Sequence, residues 1–228
     1  MIYLVPTKHG IGVELWGHYE DLHNFHETIG NYWLNEDKIL PGTEDAENRE
    51  KVISGFSYEI RKAFEGSRLK RNCSHYFPYN KSEFFGTQIS WVQFLFSLSV
   101  IRYNMKFTEV NKFDASTFLQ MEWWLDRAMH SYDEIGATNL TQFIDGAIYA
   151  ANDCIYQYMR IINLEYFMLK GGKKAFRQLP ALLKKGIFGT DEYKAYKASL
   201  EADAKRFNCK PGDLEINDDN FNYEAIKW

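Results

Sequence analysis

The hydrophobic period changes within a few residues between Ile11 and Asn35. Ile11-Gly12-Val13-Glu14-Leu15-Trp16 alternates weakly, as a strand does, and Gly17 ends the run. From about His18 the apolar positions are Tyr19, Leu22, Phe25, His26, Ile29 and Trp33, one stripe at helical spacing. Glu20 and Asp21 lie in the first turn, where the helix dipole favours acids, and Gly30 is a weak point near the end. A chain with this switch has to join a β element to a helix at Gly17. Upstream, Ile2-Tyr3-Leu4-Val5 is β-prone and Pro6 to Gly10 is a turn cluster, so residues 1–17 read as a β-hairpin. An isolated hairpin is marginal in water, so this one must pack on helices or pair with another strand.

The rest of the chain is mainly helical in pattern. Residues 35–47, with Pro41-Gly42, read as a loop, and 48–65 as a second helix with Val52, Ile53, Phe56, Ile60, Ala63 and Phe64 on one side and Gly66 as its C-cap. Residues 72–82 read as a loop and Glu83–Ile89 as a strand. The apolar run that follows is ambiguous: Phe94, Phe96, Leu98 and Val100 alternate with serines, while Leu95 and Ile101 break the alternation. The favoured reading is a central helix from about Trp91 to Met105. Asp114 is the expected N-cap of a helix reaching Ile135, and Gly136 its stop. A long helix is expected from Thr138 or Asn139 to Gly171, then a short basic helix over 173–185 interrupted at Pro180. The last helix opens at Thr190, with Tyr193, Tyr196, Leu200 and Phe207 inward. The expected fold class is α+β and mainly α: one bundle-like domain over 1–228 with a small N-terminal sheet, a helical body over 18–207 and a docked acidic tail over 208–228.

Charge and cysteine usage narrow the function classes. A net charge of −4 argues against nucleic acid as a partner. The first ten residues lack a basic stretch followed by an apolar run, and no segment approaches the ~18 apolar residues of a membrane span. Cys73, Cys154 and Cys209 are odd in number and far apart, which fits a reducing compartment, and the cytoplasm is the expected location.

Three groups of side chains could carry chemistry. His9, His18, His23 and His26 cluster near the N-terminus, and neutral imidazoles at helical spacing suit zinc. His26, however, falls on the apolar stripe, where a histidine also serves as a core residue. Glu122, Asp126 and His130 form a polar line, but the Glu-x-x-His pairs of bundle metal sites are missing from that helix. Arg61, Lys62, Arg68, Lys70 and Arg71 could hold an acidic protein partner or a small anionic ligand, or simply complement a helix C-terminus. Tyr19 and Tyr58 stand beside these groups as contact candidates. Nucleophile elbows and phosphate loops are missing, and no cofactor is expected.

Several motifs carry a resemblance: Gly12-Val13, then Trp16-Gly17-His18-Tyr19-Glu20-Asp21-Leu22, then Tyr58-Glu59-Ile60-Arg61-Lys62-Ala63-Phe64-Glu65-Gly66-Ser67-Arg68, and Ile89 to Phe94. On these the N-terminal part resembles an uncharacterised family of bacterial proteins, a domain of unknown function. Members often show a carboxylate where this chain has His18, which argues against a histidine-centred site. The resemblance implies an intracellular bacterial protein and supplies no activity. The expectation is a non-catalytic binding or adaptor protein that regulates a partner. The alternative is an enzyme dependent on a metal or small molecule, using His18, His23 and His26.

Overall fold

The computed structural model describes residues 1–33, 46–74 and 81–228. The expected loop at 35–47 falls mostly outside them, as does the centre of the one expected at 72–82. Strands β1 (Tyr3–Pro6) and β2 (Gly12–Gly17) form the hairpin, and helix α1 (Tyr19–Asn31) follows at once. Helix α2 (Ala46–Phe64) leads into β3 (Leu69–Ser74) and β4 (Lys81–Ser90). Then come α3 (Trp91–Asn104), α4 (Lys112–Tyr132), α5 (Glu134–Thr138) and α6 (Thr141–Ile144). Helices α7 (Ile155–Met168), α8 (Gly172–Leu183) and α9 (Asp191–Phe207) complete the body. The fold is α+β and mainly α, with one antiparallel sheet in the order β1-β2-β4-β3.

The hairpin therefore meets both requirements set by its small size: β2 pairs with β4, and helices cover one face. Leu4, Val13, Leu15 and Ile89 on that face are almost completely buried. They join the apolar sides of the helices in one contiguous core. Two glycines let the strands approach. A Cβ on Gly12 would lie 2.0 Å from the Ile89 carbonyl oxygen, and one on Gly86 would lie 2.7 Å from the Trp16 ring.

Helix α3 is central, as its composition demands. Val92, Phe94, Leu95, Phe96, Val100 and Ile101 are all sealed from solvent. The strand-like alternation of its sequence arises because every side is buried, so no polar face marks the helical period. Ser90 caps it, accepting from the Gln93 N–H at 3.0 Å, and Ser99 donates back to the Leu95 carbonyl at 2.9 Å. Helix α2 ends as expected at Gly66, whose φ of +73° permits the Schellman bonds Gly66 N–H to Ala63 O (2.8 Å) and Ser67 N–H to Lys62 O (2.9 Å).

Several boundaries differ from expectation. Asn72–Ser74 and Lys81–Ser82 belong to strands, so the expected 72–82 loop is shorter. Asn111, not Asp114, caps α4: its Oδ1 accepts the Asp114 N–H at 2.8 Å. Asp114 is buried instead and accepts from Thr28, Asn31, Tyr32 and Asn111, tying the end of α1 to the start of α4. Burial first, and the Asp114 carboxylate second, push the Tyr32 phenol up to about 12. The helix expected to reach Ile135 breaks at Asp133, whose extended backbone starts α5 and whose side chain caps the Gly136 N–H at 2.9 Å. The long helix expected over 138–171 is two helices. Gly146 has a φ of +98°, and Asn152 Oδ1 takes up the Cys154 N–H at 3.0 Å, turning the chain into α7. Helix α8 runs through Pro180, held by buried Phe176, Leu179 and Leu183. Phe207 is exposed rather than inward, because α9 projects beyond the core after Ala204.

Two measurements of stability follow. Gly12→Ala forces a Cβ into strand β4 and is expected to lower stability by about 1–3 kcal/mol in thermal or urea melts. Gly30→Ala, in open space on exposed helix α1, is expected to raise it by about 0.5 kcal/mol. Arg177 donates to both Asp133 oxygens at 2.8 Å and, ahead of the Gly136 N–H, holds this carboxyl down to about 2. A depressed folded-state pKa stabilises above the ordinary value of 3.8 and loses that contribution as pH falls towards 2. Acid melts over this window should show that loss in the native chain, and Asp133→Asn should show less of it.

Candidate functional site

The end of α2 and the strand after it hold most of the basic residues singled out in the sequence. Tyr58 follows the buried stripe of α2 by two positions from Phe56 and is 45% exposed. Three cations surround its ring: Arg61 at 5.4 Å, Lys62 at 5.7 Å and Arg68 at 5.9 Å from the centroid. Arg68 forks onto Glu59 at 2.8 and 2.9 Å, and Thr87 donates to the same carboxylate at 3.1 Å. Those Glu59 bonds raise the Arg68 pKa. Arg61 and Lys62 both pair with Glu65, at 3.2 and 2.9 Å, and Lys62 first, with Arg61, lowers the Glu65 pKa.

The structure divides the basic group. Lys70 and Arg71 are consecutive in β3 and point to opposite faces of the sheet. Lys70 sits 5.5 Å from the Phe85 ring. Arg71 lies on the outer face, 4.6 Å from Trp16, 5.1 Å from Tyr3 and 5.5 Å from Phe84. Only Arg61, Lys62 and Arg68 converge on Tyr58.

The histidines are also divided. His23 and His26 stand edge-on to Phe64 at 5.5 and 5.6 Å, and Tyr19 stacks on His23 at 5.8 Å. Burial is the main cause that lowers the His26 pKa. His18 is turned the other way, 4.0 Å from the Phe84 ring, with its Nδ1 3.3 Å from the Glu83 carbonyl oxygen. Among the described residues no three His, Cys, Asp or Glu side chains are grouped to hold a metal. In the polar line of α4, Glu122 pairs with Arg102, and His130 Nδ1 lies 3.4 Å from Asp126.

Beside Tyr58 lies a groove of about 630 Å³. Its lining includes Tyr58, Arg68, Gln88, Gln93, Asn163 and Trp228. β3 stops at Leu69, opposite Gly86, whereas β4 runs on to Ser90. Residues Thr87 to Ser90 therefore have a strand neighbour on the β2 side alone, and Thr87 and Gln88 line the groove. The far wall is the segment after α9. Gln157 donates to the Gly212 and Leu214 carbonyls at 2.6 and 3.2 Å, and Arg160 pairs with Asp218. The Tyr223 hydroxyl, and Arg160 with it, hold Asp218 below the usual carboxylate range. Phe167 meets Phe221 at 6.0 Å and Trp228 at 6.3 Å. Asn163 Oδ1 accepts the Ser90 hydroxyl at 2.6 Å, which leaves its amide N–H groups for other partners. Aromatic faces with carboxamides beside an incomplete strand edge suit an extended peptide better than a compact anion.

Sequence reading singled out Arg68 in the basic group beyond a helix end and Tyr58 through the resemblance. It missed Gln88, Gln93, Asn163 and Trp228, since nothing local distinguishes an amide that will line a groove from one that meets solvent.

No curated protein and no solved structure matches the chain. One family profile does, over residues 2–228, and it carries the description domain of unknown function, DUF6904. The chain belongs to that family.

Proposed function

We propose that the protein is a non-catalytic binding or adaptor protein of the bacterial cytoplasm. It docks an extended, acidic segment of a protein partner in the groove beside Tyr58. The observation that carries this reading is the length mismatch between β3 and β4. An incoming strand would continue the line of β3 and pair with Thr87–Ser90, adding backbone hydrogen bonds where the sheet stops short. Tyr58 and Trp228 would flank it, and the carboxamides of Gln93 and Asn163 would meet its peptide groups. Arg61, Lys62 and Arg68, three cations against the two carboxylates of Glu59 and Glu65, favour acidic side chains at one end. The odd number and wide spacing of Cys73, Cys154 and Cys209 support a reducing location, and the sequence resemblance supports a bacterial one.

A labelled peptide of alternating Glu and Val tests the reading by fluorescence anisotropy and hydrogen exchange. The peptide is expected to slow amide exchange across Thr87–Ser90 and to bind less tightly as salt is raised. Arg61→Glu combined with Arg68→Glu should weaken binding about tenfold, and the equivalent Lys-Val peptide should bind no better than that variant. Unchanged exchange at Thr87–Ser90, or equal binding of the acidic and basic peptides, would overturn the proposal.

A further inference from the structure

The groove beside Tyr58 is open along β4 and closed at one end by the chain itself. β3 pairs with β4 from Leu69 opposite Gly86 to Ser74 opposite Lys81, so the next places in its line face Thr87 and then Gln88. Going back from Leu69, the backbone leaves that line through Arg68, Ser67 and the left-handed Gly66 to reach the end of α2. A strand added beside Thr87–Ser90 cannot run on past Leu69. It must end there or turn out of the sheet.

The sense of pairing decides which end stops. All three strand pairs of the sheet are antiparallel, and antiparallel pairing is slightly more stable per residue than parallel. A strand antiparallel to β4 runs in the same direction as β3. Its last residue then arrives at Leu69, and its earlier residues pass Ser90 towards Gln93 and Asn163. The backbone of β4 is turned to receive it. The Trp91 N–H donates to the Ile11 carbonyl at 3.2 Å on the β2 side, and successive strand residues alternate, so Gln88 and Ser90 turn their N–H groups to the open side.

The charges agree with this direction. Among the described residues, Glu59 and Arg68 are the charged side chains of the lining; they pair with each other at the Leu69 end. Arg61 and Lys62, on the same Tyr58 ring as Arg68, share the single carboxylate of Glu65, which leaves one positive charge at this corner. The other lining side chains, from Gln88 and Gln93 to Asn163 and Trp228, are uncharged. An N-terminal ammonium at the blocked end would meet like charge, whereas a C-terminal carboxylate meets the surplus.

We propose that the groove takes up the free C-terminus of a protein partner. Its last residues run antiparallel to Gln88–Ser90, and its terminal carboxylate stops beside Arg61, Lys62 and Tyr58. This rests on the groove being a strand-docking site, and adds to it the direction and the end of the strand.

Calorimetric titration of the full chain with forms of the peptide Val-Glu-Val-Glu-Val tests this. The forms are the free acid, the C-terminal amide, and the acid lengthened by Gly-Ser-Gly-Ser at its C-terminus or at its N-terminus. The amide and the C-terminally lengthened form are expected to bind about tenfold more weakly than the free acid, and the N-terminally lengthened form within about twofold of it. With Arg61→Gln combined with Lys62→Gln, which touches only exposed ion pairs, acid and amide should bind within about twofold of each other and the melt should be unchanged. Equal affinity of acid and amide, undiminished binding of the C-terminally lengthened form, or loss of binding on N-terminal lengthening would overturn the inference. So would an acid preference that survives in the folded variant. In each of these cases slowed exchange across Thr87–Ser90 would leave the groove standing as a docking site. Absence of binding by every form to a chain with a normal melt would overturn the groove itself.

Discussion

Much of the molecule is fastened through one backbone carbonyl, that of Gly10 in the hairpin turn. The Trp91 indole N–H donates to it at 2.9 Å and the Tyr166 hydroxyl at 2.6 Å, both in the buried interior. Beside it the His9 carbonyl accepts the Gly172 N–H at 2.6 Å. Gly10 has a φ of +67°, and a Cβ there would lie 2.1 Å from the Tyr132 ring, so a side chain is excluded twice over. The Gly10 side of this turn is buried against α3, α4, α7 and α8, while Lys8 and His9 at its tip stay exposed. Thr7 makes this tolerable by accepting the Ile11 and Gly12 N–H groups at 3.1 Å each. Burial keeps the Tyr166 phenol protonated well above its ordinary range, so it remains a donor.

Around that point the aromatic content does the work expected of it. Trp91, Phe94, Phe96, Phe143 and Phe176 are fully buried, each contributing about 1.5–3 kcal/mol relative to exposure. Two buried carboxylates are placed at corners between helices. Asp114 locks α1 against α4, and Asp133 locks the α4–α5 corner against α8 through Arg177. Each buried carboxylate is hydrogen-bonded several times, the condition under which burying charge costs least.

Local chemistry explains which elements were legible in the sequence. The Gly17 switch, the Gly66 stop and the Thr190 cap each depend on neighbouring residues and could be read there, whereas the helix favoured over about Trp91 to Met105 stayed ambiguous because it is apolar on nearly every side. β3 could not be read there. Its Leu69-Lys70-Arg71-Asn72 sequence lacks strand propensity and pairs only because β4 lies beside it, with cationic stems resting on Phe85 and Trp16. The break at Asp133 was hidden because Met129, Ala128 and Ala137 keep helical spacing across it. The candidate site divides in the same way. Arg68 stood out by its position and Tyr58 through the resemblance, whereas Gln93 and Trp228 come to line one groove only through the fold.

The buried Gly10 carbonyl also has a consequence for how the chain reaches its native state. The Tyr166–Gly10 bond spans 156 positions of sequence, and the Gly172–His9 bond spans slightly more. The turn between β1 and β2 cannot reach its final setting until α7 and the start of α8 have been made. Non-local closures of this kind slow folding, because loop entropy is spent before the contact is gained. The Gly10 carbonyl would thus wait for one of its donors until Tyr166 arrives, after the hairpin has paired with β4 and been covered by α1, α3 and α4.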